Sequence, residues 1–407
     1  MRLNTMLSGL RHAIRVNLLP TLTVGLALLA ASPAQAQTFT VLHAFKGVPD
    51  GAGPNGVILD ASGNVYGTTY SAGGRYKGMA FKISPEGKET ILYNFLAAHG
   101  ANPIGTLVQD ANGVLYGTTQ RGGAYNGGAV FKLDKKGKET VLYSFRGAAD
   151  GVWPNAIIRS ADGTIYGTTE YGGNGGCDYQ GCGTVFKLSP AGKKTTLYSF
   201  TGGTDGAVPW GDLVQDSAGN LYGVTWSGGD LSCSDGYGCG TVFEVNTAGI
   251  ETVLHSFIGG NDGTFPVGLT RDQEGNFYGA TNSGGTFNNG TVFKLDASGQ
   301  EAVLYSFSGG ADGSQPGVGV VLDASGNIYG STSSGGAACG ECGVVFVLGT
   351  SGKETVLHSF TRGGDGAYPG AVVLDASRNI YGAAGGGGDL SCGYNGEGCG
   401  TVFKITP

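Results

Sequence analysis

The stretch Tyr116-Gly117-Thr118-Thr119 returns, with small edits, seven times along the 407-residue chain. Its tyrosine recurs at Tyr66, Tyr116, Tyr166, Tyr222, Tyr278, Tyr329 and Tyr381, each followed by glycine, at spacings of 50, 50, 56, 56, 51 and 52 residues. A period of that size marks a repeat array, in which each copy is one supersecondary unit that buries its apolar face against its neighbours. Outward from the second copy, Thr106 to Asp110 is a short apolar-rich run, Ala111-Asn112-Gly113 a turn and Val114 to Thr119 a second run. A Gly-rich loop from Gln120 to Gly128 then leads to two more β-rich runs, Ala129 to Leu133 and Glu139 to Phe145. Each run has the usual length of a strand, and no helical period interrupts them. Four such strands, here called a to d, predict one blade; the expected fold is an all-β, seven-bladed β-propeller with four antiparallel strands per blade.

The ends of the chain predict how the ring closes. A lone d-type strand runs from Thr40 to Phe45, and a lone c-type strand runs from Thr401 to Ile405. Seven full blades exist only if these two pair, so the N-terminal strand is expected to complete the last blade and leave no open seam.

Residues 1–36 read differently. Arg2, Arg11 and Arg15 precede an apolar run from about Val16 to Ala31 and the small-x-small site Ala34-Gln35-Ala36, which together predict a secretory signal peptide, with the propeller occupying 37–407. Export, to the periplasm or beyond the cell, is therefore expected, with no membrane insertion after cleavage. The mature balance is 21 Lys+Arg against 31 Asp+Glu, a net charge of −10, which disfavours nucleic acid as a partner. The 80 glycines fall at fixed places in each repeat, where turns need them.

The blade core reads Leu-x-x-Asp-x-x-Gly-Asn-x-Tyr-Gly-Thr-Thr, then Gly-Gly, Gly-Thr-Val-Phe-Lys-Leu and Glu-Thr-Val-Leu-Tyr-Ser-Phe. It resembles the GloVer-repeat family of exported bacterial tandem-repeat proteins and, more distantly, the blades of NHL-type propellers. The resemblance implies a fold and a compartment, and it carries over no catalytic residue. Members of that family often add a C-terminal sorting anchor; here the last strand is followed directly by Pro407.

Strand order puts the a–b and c–d turns on one face and the b–c loops and d–a links on the other. The second set varies from blade to blade, as binding loops on a rigid scaffold do. All eight cysteines lie there, two per loop: Cys177 and Cys182, Cys233 and Cys239, Cys339 and Cys342, Cys392 and Cys399. Disulfides within each loop are expected, with cross-links between neighbouring loops or a four-thiolate zinc site as alternatives. An Asp-Gly-x-x-Pro link recurs at Asp50, Asp150, Asp205, Asp262, Asp312 and Asp365, read as a turn device before a calcium ring. His43, His255 and His358 in strand d read as structural.

The residue before the link proline runs Gly53, Asn102, Trp153, Val208, Phe265, Gln315, Tyr368, and Trp210 follows its proline directly. The residue closing strand b runs Tyr70, Gln120, Glu170, Trp226, Asn282, Ser333, Ala384. Trp153, Trp210, Trp226, Phe265, Tyr368 and Glu170 are therefore the candidate ligand-binding residues, suited to stacking on sugar rings or to capturing a peptide. Strand a is expected to line the channel, with Asp212 among its few polar residues. The expected protein is a monomeric secreted binding or scaffold module for a glycan or an extracellular protein, without cofactor or metal. A uronic-acid polysaccharide lyase using His99, Arg121 and Tyr125, and a structural surface protein, are the alternatives.

Overall fold

The computed structural model describes residues 37–71, 77–174, 176–177, 180–392 and 396–407, so the expected signal peptide lies outside the described residues. Seven four-stranded antiparallel sheets form seven blades. In the second blade these are β6 (Ala101–Gln109), β7 (Leu115–Arg121), β8 (Ala129–Leu133) and β9 (Glu139–Ser144). The ring closes as the strand count requires. β1 (Thr38–Ala44) pairs antiparallel with β28 (Thr401–Thr406), from Thr38 opposite Thr406 to Ala44 opposite Thr401, and completes the sheet of β26 (Ala367–Leu374) and β27 (Ile380–Gly386).

The repeated motif has a physical reason at each position. The Tyr116 hydroxyl donates to Asp110 Oδ2 at 3.2 Å, while Asp110 Oδ1 accepts the backbone N–H groups of Asn112 and Val114, so one carboxylate closes the a–b turn. Gly117 pairs across the sheet with Phe131, and a Cβ on it would lie 2.7 Å from that ring. The glycine thus leaves room for the phenylalanine to lie flat over strand b. The phenylalanine ending strand d then meets the strand-c phenylalanine of the next blade edge-on, at ring-centroid distances of 4.8–5.3 Å around all seven seams. These buried pairs form the inter-blade core.

Two expectations change. Strand a starts earlier than its apolar run suggests, at Ala101 and Val152 in the second and third blades, so the link proline lies inside the strand. An edge strand tolerates this because its outer N–H groups need no ladder partner, and the register shifts just after each such proline where a full strand forms. In the sixth blade strand a shrinks to Val321–Leu322, since Gly317 and Gly319 give the ladder little to pack. The loops also hold three single 3-10 turns among the described residues, at Ala148–Asp150, Ser234–Gly236 and Gly260–Asp262.

The outer seams bury acid. Glu251 and Glu354, at the start of strand d, pack against Asp205 and Asp312 of the preceding links, and burial, then the neighbouring charge, pushes each glutamate up to about 7. A carboxyl raised above its ordinary value is held protonated by the fold. Its contribution is complete below pH ~4.5 and is lost as pH rises through ~7. Allowing for partial solvent access, each contributes about 1 kcal/mol, so raising pH from 5 to 8 should lower the thermal midpoint by about 2–4 °C. Calorimetry on the Glu251→Gln, Glu354→Gln double variant should show a flatter profile; an unchanged slope would refute this assignment.

Candidate functional site

The rim of the b–c/d–a face is built by an unusual backbone. The residue before each link proline takes a left-handed conformation, with φ between 54° and 65° from Gly53 to Tyr368. Six of these seven residues are not glycine. Such a conformation is unfavourable for Trp153, Val208, Phe265 and Tyr368, and it persists because the same residue hooks onto the preceding blade. Trp153 N–H donates to the Gly127 carbonyl at 3.0 Å, Val208 to Cys182 at 2.8 Å, Phe265 to Cys239 at 2.9 Å and Tyr368 to Cys342 at 2.9 Å. The bulge throws each side chain onto the rim.

Cysteines supply the anchor for Val208, Phe265 and Tyr368, whereas Trp153 hooks onto a glycine. Disulfides join Cys177 to Cys182, Cys233 to Cys239, Cys339 to Cys342 and Cys392 to Cys399, each within one loop, as expected. In every pair the second cysteine is buried and its carbonyl accepts the next blade's hook. The four disulfides point to an oxidising, extracytoplasmic setting.

Trp210, Trp226 and Phe265 come together across the seam of the fourth and fifth blades. The Trp226 and Phe265 rings stack at 5.1 Å and 11°, and Trp210 lies 5.7 Å from Trp226. All three are half-buried, and Trp210 and Trp226 also pack against the hydrophobic core beneath them. Trp153 belongs to a second group, with Tyr171 edge-on at 5.3 Å and the Arg121 guanidinium 5.3 Å above its ring. Glu170 is buried there; desolvation raises its carboxyl, against hydrogen bonds from Tyr171 and Gln120 that lower it. Tyr368 carries the Arg362 guanidinium 5.2 Å above its ring. In the last blade the position equivalent to Trp226 is Gly385 and not Ala384, because Ala384 pairs with Pro369 as Thr225 does with Pro209.

Asp212 stands apart. A strand-a bulge with Gly211 at φ 73° places it on the innermost strand, open to solvent yet surrounded by protein, and this enclosure pushes its carboxyl up to about 6. A signal existed: Pro209-x-x-x-Leu213 is one residue longer than Pro154-x-x-Ile157.

The three groups of the lyase reading turn to different partners. His99 Nδ1 lies 3.2 Å from Glu139 and 3.3 Å from the Tyr93 hydroxyl at the outer seam, Arg121 covers Trp153, and Tyr125 is exposed beneath Arg146. The link aspartates serve as turn anchors: Asp150 accepts the Arg146 N–H at 2.8 Å and the Tyr143 hydroxyl at 2.7 Å.

Among solved structures the chain is similar to virginiamycin B lyase from Staphylococcus aureus, with a TM-score of 0.61, 16% identity, and coverage of 91% of this chain and 99% of that one. It is also similar to the extracellular domain of a candidate hybrid two component system from B. thetaiotaomicron, with a TM-score of 0.55, 13% identity, and coverage of 91% of this chain and 42% of that one. At such identities the likeness is one of fold alone. A comparison with curated protein sequences finds no match. The model of the Gloeobacter/Verrucomicrobia repeat matches residues 28–179, 149–338 and 232–407, and with its blade motif matched over nearly its whole length, the chain belongs to that family.

Proposed function

We propose that the protein is a secreted binding module that holds a glycan on the aromatic rim of its b–c/d–a face. The observation that carries this reading is the Trp210, Trp226 and Phe265 group, in which two rings stack at 11° across a blade seam and all three residues stay partly exposed. Flat apolar rings match the apolar faces of sugars. Left-handed hooks and disulfides fix the rings before a ligand arrives, which lowers the ordering cost of binding.

Affinity electrophoresis and glycan arrays on the intact oxidised protein test this. Trp226→Ala is expected to weaken glycan binding about tenfold or more, and Trp210→Ala and Trp153→Ala by smaller factors. Binding that survives all three changes would remove the rim from the account.

A further inference from the structure

Away from the rim, one three-residue arrangement recurs at the outer seams: a Tyr or His of strand d, the aspartate of the following link, and the first residue of strand d in the next blade. Two seams combine Tyr, Asp and Glu, at Tyr198, Asp205 and Glu251 and at Tyr305, Asp312 and Glu354. Two others differ in a way that changes their chemistry. At His43, Asp50 and Glu89, and again at His255, Asp262 and Glu301, an imidazole and two carboxylates converge with their donor atoms all within 4.8 Å of one another.

We propose that these are two equivalent sites for a divalent transition ion of the zinc type. His43 Nε2 is 3.2 Å from Asp50 Oδ1, and His255 Nε2 is 3.1 Å from Asp262 Oδ1. The third member, Glu89 or Glu301, adds a buried Oε1 that has no hydrogen-bond partner. Glu139, Glu251 and Glu354 leave the same atom unpartnered but without an imidazole and an aspartate converging on it, so the convergence of all three groups is what sets these two seams apart. A buried oxygen left without a partner is costly, and a cation between it and the imidazole would satisfy it. The second and third blades show that a seam of this shape accepts positive charge. There Lys194 occupies the position of Glu89 and Glu301, and its ammonium lies 3.2 Å from Asp150 Oδ1 and donates to the Asp150 carbonyl at 2.6 Å.

The donor set selects the ion. One imidazole nitrogen with two carboxylates suits zinc and its neighbours, whereas calcium and magnesium prefer oxygen alone. Access exists at the second site, where a surface depression lined by Ile258, Asp262, Glu301 and Val303 opens onto the carboxylates. The ligands come from the outer strands of adjacent blades, so a bound ion would clasp one blade to the next, once at the seam where β1 closes the ring.

Titration calorimetry with Zn2+ on the intact oxidised chain tests the proposal, with thermal melting in parallel. The native protein should take up two equivalents and melt several degrees higher with the ion. His43→Tyr and His255→Tyr should each remove one equivalent, and the double variant both. Tyrosine is the natural residue at Tyr198 and Tyr305, so these variants keep a seam the fold already uses. His358→Tyr should change nothing, because Phe39 stands in place of the glutamate there and stacks on His358 at 3.6 Å. Absence of Zn2+ uptake by the native protein, two equivalents retained by the double variant, or a loss on His358→Tyr equal to the others would each overturn the proposal.

Discussion

Phe45→Ala should cost about 3–5 kcal/mol of unfolding free energy, although Phe45 lies just nine residues into the described chain. The ring is fully buried and packs edge-on against Phe81 of the first blade at 5.2 Å, so it belongs to the seam that joins the two ends of the propeller. Its strand supports the other side of the same blade through Phe39, which lies 5.5 Å from Phe403 and 5.8 Å from Phe360. β1 and the Phe45 that follows it therefore hold two seams at once, and a cavity at Phe45 loosens the one to the first blade. Removal of residues 38–45 should do more, leaving the outer edge of β28 unpaired and the first blade without its neighbour. Denaturant unfolding of Phe45→Ala beside Phe257→Ala, the same position in the middle of the ring, is the measurement. Equal losses mean a closed ring. A loss under about 1 kcal/mol at Phe45 alone would mean that the terminal seam is open in solution.

Much of this was legible in the sequence because repetition reveals phase. The tyrosines give the blade count, the lone strands at the two ends give the closure, and two cysteines in each short loop favour the within-loop pairing over cross-links or a zinc site. What stayed hidden depends on contacts between blades. Nothing local to Trp153 or Phe265 predicts a left-handed backbone; the cause is a hydrogen bond to Gly127 or Cys239 of the neighbouring blade. The same holds for His43 and Glu89, which are far apart in sequence and meet at a seam. Asp212 is polar by type alone, and the extra residue between Pro209 and Leu213 hints at the bulge, but the register shows that the bulge sets its surroundings. His99 shows the reverse, a residue whose type suggests chemistry that its place in the fold does not support. It replaces a turn aspartate, and the structure finds it with Tyr93 and Glu139 at the outer seam, away from Arg121 and Tyr125.

Gly240→Ala should be among the more damaging single methyl additions near the rim. Gly240 has φ 93°, and a Cβ there would strike the Thr225 carbonyl and stand 2.6 Å from Pro266 Cδ of the next blade. Neither neighbour can yield, since one is strand backbone and the other a ring locked beside the hook of Phe265 onto Cys239. The equivalent glycine at the preceding seam, Gly183, meets Pro209 in the same way, so the glycine-proline contact sets how closely successive blades approach. Backbone strain contributes about 1–2 kcal/mol and the clash a further 1–3 kcal/mol, so a loss of about 3–4 kcal/mol is expected. Gly236→Ala separates the two terms: its φ is 94°, but nothing lies within 4 Å of the added carbon, so it should show the strain alone. The same change reaches the candidate site. Forcing Pro266 away moves Phe265, whose ring stacks on Trp226 at 5.1 Å, so Gly240→Ala should alter the near-ultraviolet circular dichroism of the tryptophans while Gly236→Ala leaves it intact. If both variants lose the same stability and keep the same spectrum, blade spacing is not set at this glycine, and the rigidity attributed to the aromatic rim must come from elsewhere.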